Sequence, residues 1–576
     1  MHELMYDNSI KVVAFGKNAG KDMIMRKLLS MLCVLALLLS LAACGAGEEL
    51  SETEPGSEVA AIYDAYTPYD ETVTLTTGTT VLGAGGLPSG DDYENNVFTR
   101  FLQKTQNIKM DVAWSVDSST YASKVALCIA GKDLPDVLVV NRTTFKQMAD
   151  NDLLADLTEV YDSCISDFLR AQLDSYGEGL MKEVTVDGKL LGIPSPSLNN
   201  CQNVLWIRSD WLEKAGLEAP KTLEDIEKTA RKFIELKLGG ENTIGITTTS
   251  KLYGGYNSSW GLDSVFSVFG AYPGSWLEID GKAAYGSVQP EMKDALELLR
   301  SWYAAGILDK EFAVRDEASR QSLIGSGRCG MYFGVWWPSN GVADIVELDK
   351  EADWIAVSAP LDGNGKLKTA AQDPIQKIAV VSKKCKHPEA VIKALNAGYD
   401  VLRCNREYGN PYVSQTEEAY KYFFETSPQG WGVMPVPIEI NWSDCVGRIA
   451  REMKEAVEKE DPSILSITGF ESSYEYILYN SKHPKENRVY YHEYLARVVG
   501  AGAATEDCVE VVPTCFYGTT KTMSTLWSSL EKLESEIMLK IVMGEEPVSA
   551  FDDFIGKWYS SGGEQITQEV EEARNG

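Results

Sequence analysis

Between residues 71 and 141 the chain moves back and forth between a two-residue and a 3.6-residue hydrophobic rhythm. Glu71-Thr-Val-Thr-Leu-Thr-Thr-Gly78 alternates around β-branched residues and predicts a strand. Val97, Phe98, Phe101 and Leu102 share one face of a helix, with Asp92 upstream as a candidate cap. Lys109 to Val116 predicts a second strand, and Tyr121 to Ala130 a second helix stopped by Gly131. Leu134-Pro-Asp-Val-Leu-Val-Val-Asn141 is a short apolar run of the kind that fills a parallel sheet covered on both faces. Strand, helix, strand, helix, strand predicts a βαβ architecture.

Further along, Val186-Asp-Gly-Lys-Leu-Leu-Gly-Ile-Pro194 places a turn between strand-like flanks. Thr222 caps a helix that carries Leu223, Ile226, Ala230, Phe233 and Ile234 on one side and stops at Gly239. A helix from Pro290 to Ala304 buries Ala295, Leu299 and Trp302. Ile324 to Pro338 reads as a tight glycine turn feeding a strand that ends in Trp336 and Trp337. Asp353 to Ala359 and Gln376 to Val381 are further strands, and His387-Pro388-Glu389 opens a helix. From Val446 the chain is expected to be helical. Its strongest period runs through Met523, Leu526, Leu530, Leu533, Ile537 and Ile541, to a stop at Gly544.

One stretch has a different logic. Arg26 and Lys27 precede an apolar run that ends in Leu41-Ala-Ala-Cys44, the pattern of a secretory signal. The run is shorter than the roughly 20 residues a bilayer-spanning helix needs. Its end resembles the bacterial lipobox, which makes Cys44 the expected lipidation site. Residues 1–22 precede this signal, so translation is expected to start at Met23 or Met25, with the signal over 23–44. The acidic, small-residue segment 45–69 cannot bury a core and reads as a tether.

Composition narrows the classes. The 576 residues are too many for one core, and 44% apolar content with 13 Trp and 27 Tyr describes a folded chain. Net charge is −30, from 54 basic and 84 acidic residues. That argues against nucleic acid and against electrostatic adhesion to anionic lipid. The nine cysteines after Cys44 are scattered, form no CxxC pair and read mainly as buried thiols, although their pairing stays open. HExxH is absent around His492-Glu493, as is GxSxG, so a zinc hydrolase or an α/β-hydrolase is disfavoured. Asp362-Gly-Asn-Gly-Lys366 opens like a calcium loop but lacks the later oxygen ligands, and a turn is expected. No metal and no cofactor are expected.

Several segments, in order, resemble family 1 of the extracellular solute-binding proteins, the carbohydrate-type receptors of ABC importers, and within it the long Gram-positive lipoproteins. They are Leu134-Pro-Asp136 and Asn151-Asp-Leu-Leu-Ala-Asp-Leu157, Trp206-Ile-Arg-Ser-Asp-Trp211, and Ala219-Pro-Lys-Thr-Leu-Glu-Asp225. Gly327-Arg-Cys-Gly-Met331 leading to Gly334-Val-Trp336 and Phe551-Asp-Asp-Phe554 with Trp558 complete the set. The resemblance implies an α/β fold of two lobes, periplasmic-binding-protein-like, with a crossover hinge and a helix-rich C-terminal part. Lobe 1 is expected over 70–195 and 361–402, and lobe 2 over 196–360 and 403–576.

The same resemblance implies a lipid-anchored receptor on the extracellular face of the membrane. It would be a monomer that captures a sugar and hands it to importer membrane subunits, with no chemistry of its own. Trp336 is the leading ligand-stacking candidate, with Trp337 beside it. Trp260 in a polar loop, Asn141 at a strand end, Asp92, Trp431 and Trp206 follow, with Tyr253 and Tyr256 weaker. Trp206 can equally be core, and Asp92 can be only a cap. A surface glycoside hydrolase, or a receptor for peptides or other polar solutes, is the alternative.

Overall fold

The computed structural model describes residues 64–81, 87–197, 203–255, 258–404, 408–426, 430–467 and 469–575. The signal, Cys44 and Tyr256 lie outside these residues. The strands that build the molecule are β1 (Val73–Thr80), β2 (Ile108–Val116), β3 (Val137–Val140), β4 (Ile193–Pro196), β5 (Val204–Arg208) and β6 (Ile244–Ile246). They continue with β7 (Cys329–Gly334), β8 (Trp354–Val357), β9 (Leu367–Ala370), β10 (Ile375–Val381) and β11 (Val509–Val512). One five-stranded sheet has the order β2-β1-β3-β10-β4, and a four-stranded sheet has the order β8-β5-β7-β6.

In the first sheet β1 runs parallel to β2 and β3, while β10 runs antiparallel to β3 and β4. Between β1 and β2 runs α1 (Val97–Gln106), whose Val97, Phe98, Phe101 and Leu102 are buried as the rhythm requires. Its cap differs from expectation. Asn96 accepts the Phe98 and Thr99 amides through its side chain and donates its own amide to the Thr99 hydroxyl, whereas Asp92 closes a turn by accepting the Glu94 and Asn95 amides at 2.9 and 2.7 Å. The helix α2 (Ser118–Gly131) runs past no glycine break either: Lys132 takes the left-handed cap conformation one residue beyond Gly131. Gly78 sits at a bulge where a Cβ would lie 2.1 Å from the Trp114 ring, so a bare backbone is needed there.

A single apolar core unites this sheet with α3 (Arg142–Asp150), α4 (Pro388–Arg403) and α5 (Val413–Thr426). The boundary expected at residue 403 is therefore displaced. Phe423 packs on Phe98 with centroids 5.0 Å apart, and Val433, Met434, Val436, Ile438 and Ile440 join the same core. Segment 413–440 belongs with the first lobe by packing, because its apolar side chains face α1 and α4.

The second sheet is covered on both faces. One core holds Leu205, Ile207, Met331 and Phe333 against Ile226, Phe233, Leu299 and the C-terminal Phe551, Phe554 and Trp558. The other holds Trp206, Tyr332 and Trp354 against α6 (Cys445–Lys459) and α7 (Glu471–Lys482). Thr222 caps its helix through a reciprocal pair with Asp225. That helix ends at Glu235 rather than at Gly239, whose place is set by a close pass of the Arg328 backbone 2.9 Å from where a Cβ would be. The long helix α8 (Met523–Met543) ends on Gly544 in the left-handed region, as its pattern requires. The C-terminal part is not wholly helical: β11 pairs parallel with β9.

The candidate cleft between the lobes

The register of the two sheets defines where they meet. Because β1, β2 and β3 are parallel, their C-terminal ends leave on one edge, which Pro196 and Ile375 share as paired residues. In the second sheet Gly334 pairs with Val204 and Val357 with Leu205, so β7 and β8 end where β5 begins. β4 of the first sheet and β5 of the second follow one another in the chain, and 358–374 crosses back between the same edges. A third crossing, 440–444, leads from the first core into α6. In open α/β sheets the crevice beyond such strand ends is the usual ligand position.

Trp336 and Trp337 stand at that edge, immediately after β7. Trp336 is 8% exposed and Trp337 41%, and their rings meet edge to face at 5.0 Å. The Arg497 guanidinium lies 5.1 Å from the Trp336 centroid and 5.2 Å from that of Phe470, while Arg403 lies 5.3 Å from Phe470. Trp336, Arg403, Phe470 and Arg497, with Glu439 and Asn441, line a cavity of about 130 Å³, which Trp337 does not reach. Arg403 comes from the end of α4, Glu439 from between Ile438 and Ile440 of the first core, Asn441 from the third crossing, and the others from the second lobe. Both lobes therefore contribute to one small chamber beside Trp336.

Two larger cavities lie toward the other core of the second lobe. One, of about 200 Å³, is lined by Asn203, Lys251, Tyr253, Asp263, Gln372 and Trp527 among others. Its neighbour, of about 280 Å³, involves Gln372, Asp373, Tyr517, Thr519 and Trp527. Near it Arg142 grips Asp373 through two bonds of 3.0 and 2.6 Å and Glu183 through one of 2.6 Å. The Thr143 and Thr519 hydroxyls are 3.0 Å apart, bringing the start of α3 to the loop before α8.

The remaining expected residues sort by what they touch. Trp260 is 2% exposed, with its Nε1–H donating to Glu317 at 2.7 Å and its ring 4.6 Å from Tyr332. It is a core residue, not a cleft platform, despite its polar surroundings in sequence. Trp206 is fully buried and donates from Nε1 to the Val335 carbonyl at 2.9 Å, so it braces the turn that presents Trp336. Asn141 does stand at the end of β3, exposed, and caps α3 by accepting the Thr144 amide at 2.9 Å. Asp92 is exposed and committed to its turn. Trp431 lies in the short turn Gly430–Val433, with its side chain outside the described set. Tyr253 donates to the buried Glu534 and also lines the 200 Å³ cavity. Arg403, Glu439, Asn441, Phe470 and Arg497 went unnoticed in the sequence, because no local pattern marks a helix end and a crossing as neighbours.

A family model for bacterial extracellular solute-binding proteins matches residues 84–399. The chain belongs to that family. Among relatives, the polygalacturonan/rhamnogalacturonan-binding protein YtcQ of Bacillus subtilis is 24% identical over 482 residues, covering 82% of this chain and 86% of that one. The fructooligosaccharide ABC transporter substrate-binding protein FusA of Streptococcus pneumoniae is 25% identical over 327 residues, covering 54% and 58%. Among solved structures, the alginate-binding protein AlgQ2 aligns over 89% of this chain and 100% of its own, with a TM-score of 0.55 and 14% identity. An HMO-binding, ABC-transporter-associated solute-binding protein of Bifidobacterium longum infantis aligns over 88% and 99%, with a TM-score of 0.58 and 13% identity. At such identities the structural likeness speaks for the fold, and the fold is that of the two-lobed solute-binding proteins.

Proposed function

We propose that this extracellular solute-binding protein captures a carbohydrate or oligosaccharide between its lobes and delivers it to an ABC importer. It does so without a chemical step, held at the outer membrane face by a lipid on Cys44 and acting as a monomer. The observation that carries the reading is the Trp336 chamber, an aromatic and arginine-lined cavity to which both lobes contribute. A sugar offers an apolar C–H face for such rings and hydroxyls for such polar groups, and aromatic contacts add about 0.5–1.5 kcal/mol beyond area burial. Relatives of the chain include a polygalacturonan/rhamnogalacturonan-binding protein, a fructooligosaccharide ABC transporter substrate-binding protein and a diacetylchitobiose-binding protein, which supports a sugar over a peptide.

A thermal-shift series with digalacturonate, 1-kestose and diacetylchitobiose tests this, since a ligand of the folded state raises its melting temperature by mass action. At least one probe is expected to raise it and to be recovered intact, and Trp336→Ala is expected to remove the shift. Cleavage of a bound probe would reveal a hydrolase instead. Anchoring is tested separately by incorporation of labelled fatty acid, which Cys44→Ala is expected to abolish.

A further inference from the structure

The two lobes also touch where no backbone joins them. The Tyr420 hydroxyl on α5 donates to the Glu471 carboxylate at the start of α7 at 2.7 Å. Phe423 packs α5 into the first core, whereas Tyr474 and Ile477 pack α7 into a core of the second sheet. Neighbouring contacts cross the same boundary. The Arg403 guanidinium, at the end of α4, lies 5.3 Å from the Phe470 ring centroid. Gly469 passes so close to α4 that a Cβ on it would sit 3.4 Å from the Leu402 carbonyl oxygen. Glu471 accepts the Gly469 amide as well, at 3.0 Å, which fixes the turn that carries Phe470. Burial and then the Glu471 carboxylate hold the Tyr420 phenol well above its ordinary pKa, so it stays protonated and remains the donor.

We infer that the Tyr420–Glu471 pair is a latch between the lobes, which favours the arrangement described above over more open ones. Bonds inside one lobe survive a swing of the whole lobe and so cannot bias it. A bond between lobes is made in one arrangement and lost in another, and it shifts the balance by its own strength. An O–H···O bond spans about 2.5–3.0 Å, so parting α5 from α7 by about 1 Å breaks this one. Its acceptor is a carboxylate and the pair is partly buried, which places it among the stronger hydrogen bonds. The latched form is also the one in which Arg403 and Phe470, from opposite lobes, wall the chamber beside Trp336. A larger population of that form lowers the conformational cost of capture, whatever the solute. The latch needs only the two-lobed fold and not the carbohydrate reading.

The test is double electron–electron resonance on the full chain, with spin labels carried by non-natural residues at Glu418 of α5 and Glu475 of α7, both exposed. No solute is added, so the outcome stands apart from the carbohydrate reading. Tyr420→Phe keeps the ring that packs 4.5 Å from Phe424 and removes only the donor. It is expected to raise the fraction of molecules with widely separated labels about fivefold, equivalent to about 1 kcal/mol. Glu471→Gln keeps a neutral acceptor and is expected to give a smaller rise, and none once Tyr420→Phe is in place. A second label pair, at exposed Leu127 of the first lobe and Leu348 of the second, is expected to gain a minor population in step with the first. If Tyr420→Phe leaves the first pair as in the parent, there is no latch. A shift to shorter separations would make the contact a spacer and also overturn it. If the first pair responds and the second does not, α5 has loosened alone, and the latch falls.

Discussion

Trp260 and Trp336 belong to the same core of the second lobe, yet only Trp336 also lines the chamber. Trp260 adopts a φ of +74° and turns inward onto Tyr332 and Glu317, where its Nε1–H is satisfied. Trp260→Phe removes that bond from a sealed site and is expected to cost about 1–3 kcal/mol in urea unfolding. Solute affinity should change far less than for Trp336→Ala. A second residue-scale contrast is Arg208, 2% exposed and held by Asp210 through bonds of 2.6 and 2.8 Å. Burial alone would raise the Asp210 pKa, but hydrogen bonds and charge from Arg208, with Lys214, keep it below the ordinary carboxylate value. Its folded-state pKa is depressed, so its stabilisation is present above the unfolded value and drains away as pH falls. Asp210→Asn leaves Arg208 buried beside a neutral group and is expected to cost about 3–5 kcal/mol at neutral pH, measured by denaturant titration. The penalty should shrink in acid.

Among elements, the clearest dependence is of the Trp336 turn on the helical segment Leu495–Gly500 behind it. A Cβ on Gly500 would lie 1.9 Å from the Trp336 carbonyl oxygen and 2.7 Å from the Trp206 ring. Gly500→Ala therefore forces the turn outward, with an expected cost of about 1–3 kcal/mol and a weakened solute response in the thermal-shift assay. A different kind of tie joins α8 to the second core. Glu534 is fully buried and accepts from the Tyr253 and Tyr285 phenols. Burial raises its pKa above the ordinary carboxylate value, against the lowering effect of those hydroxyls. A raised folded-state value means stabilisation that is complete in acid and is lost as pH climbs through it. Relative to Glu534→Gln, the parent is thus expected to lose stability as pH rises from the ordinary carboxylate range toward neutrality, read by melting temperature against pH.

These elements also show what the sequence could and could not reveal. Periodic apolar faces, such as that of α1, and capping pairs such as Thr222 with Asp225 are local, so they were legible. The stop of α2 and the cap of α1 were off by one to four residues, because asparagine and lysine fill roles for which aspartate and glycine are also suited. A glycine-rich lead-in marks Trp336 as a strand-end residue, and the structure places it just beyond β7. No local sign marks Asn441 or Arg403, since only the folded chain brings the third crossing beside the end of α4.

At the scale of the molecule, two sheets with separate cores meet across strand ends and share three spans of backbone. A solute that touches both halves binds best when they are closest, so it shifts the population toward the shut form. Small-angle scattering is expected to show a smaller radius of gyration on adding a bound probe, and no change with Trp336→Ala. An unchanged profile for the parent at saturation would mean that capture needs no rearrangement.

The third span has a mechanical corollary. Each further link between the two halves removes some of their freedom to twist and slide past one another, so three leave fewer ways to part than two would.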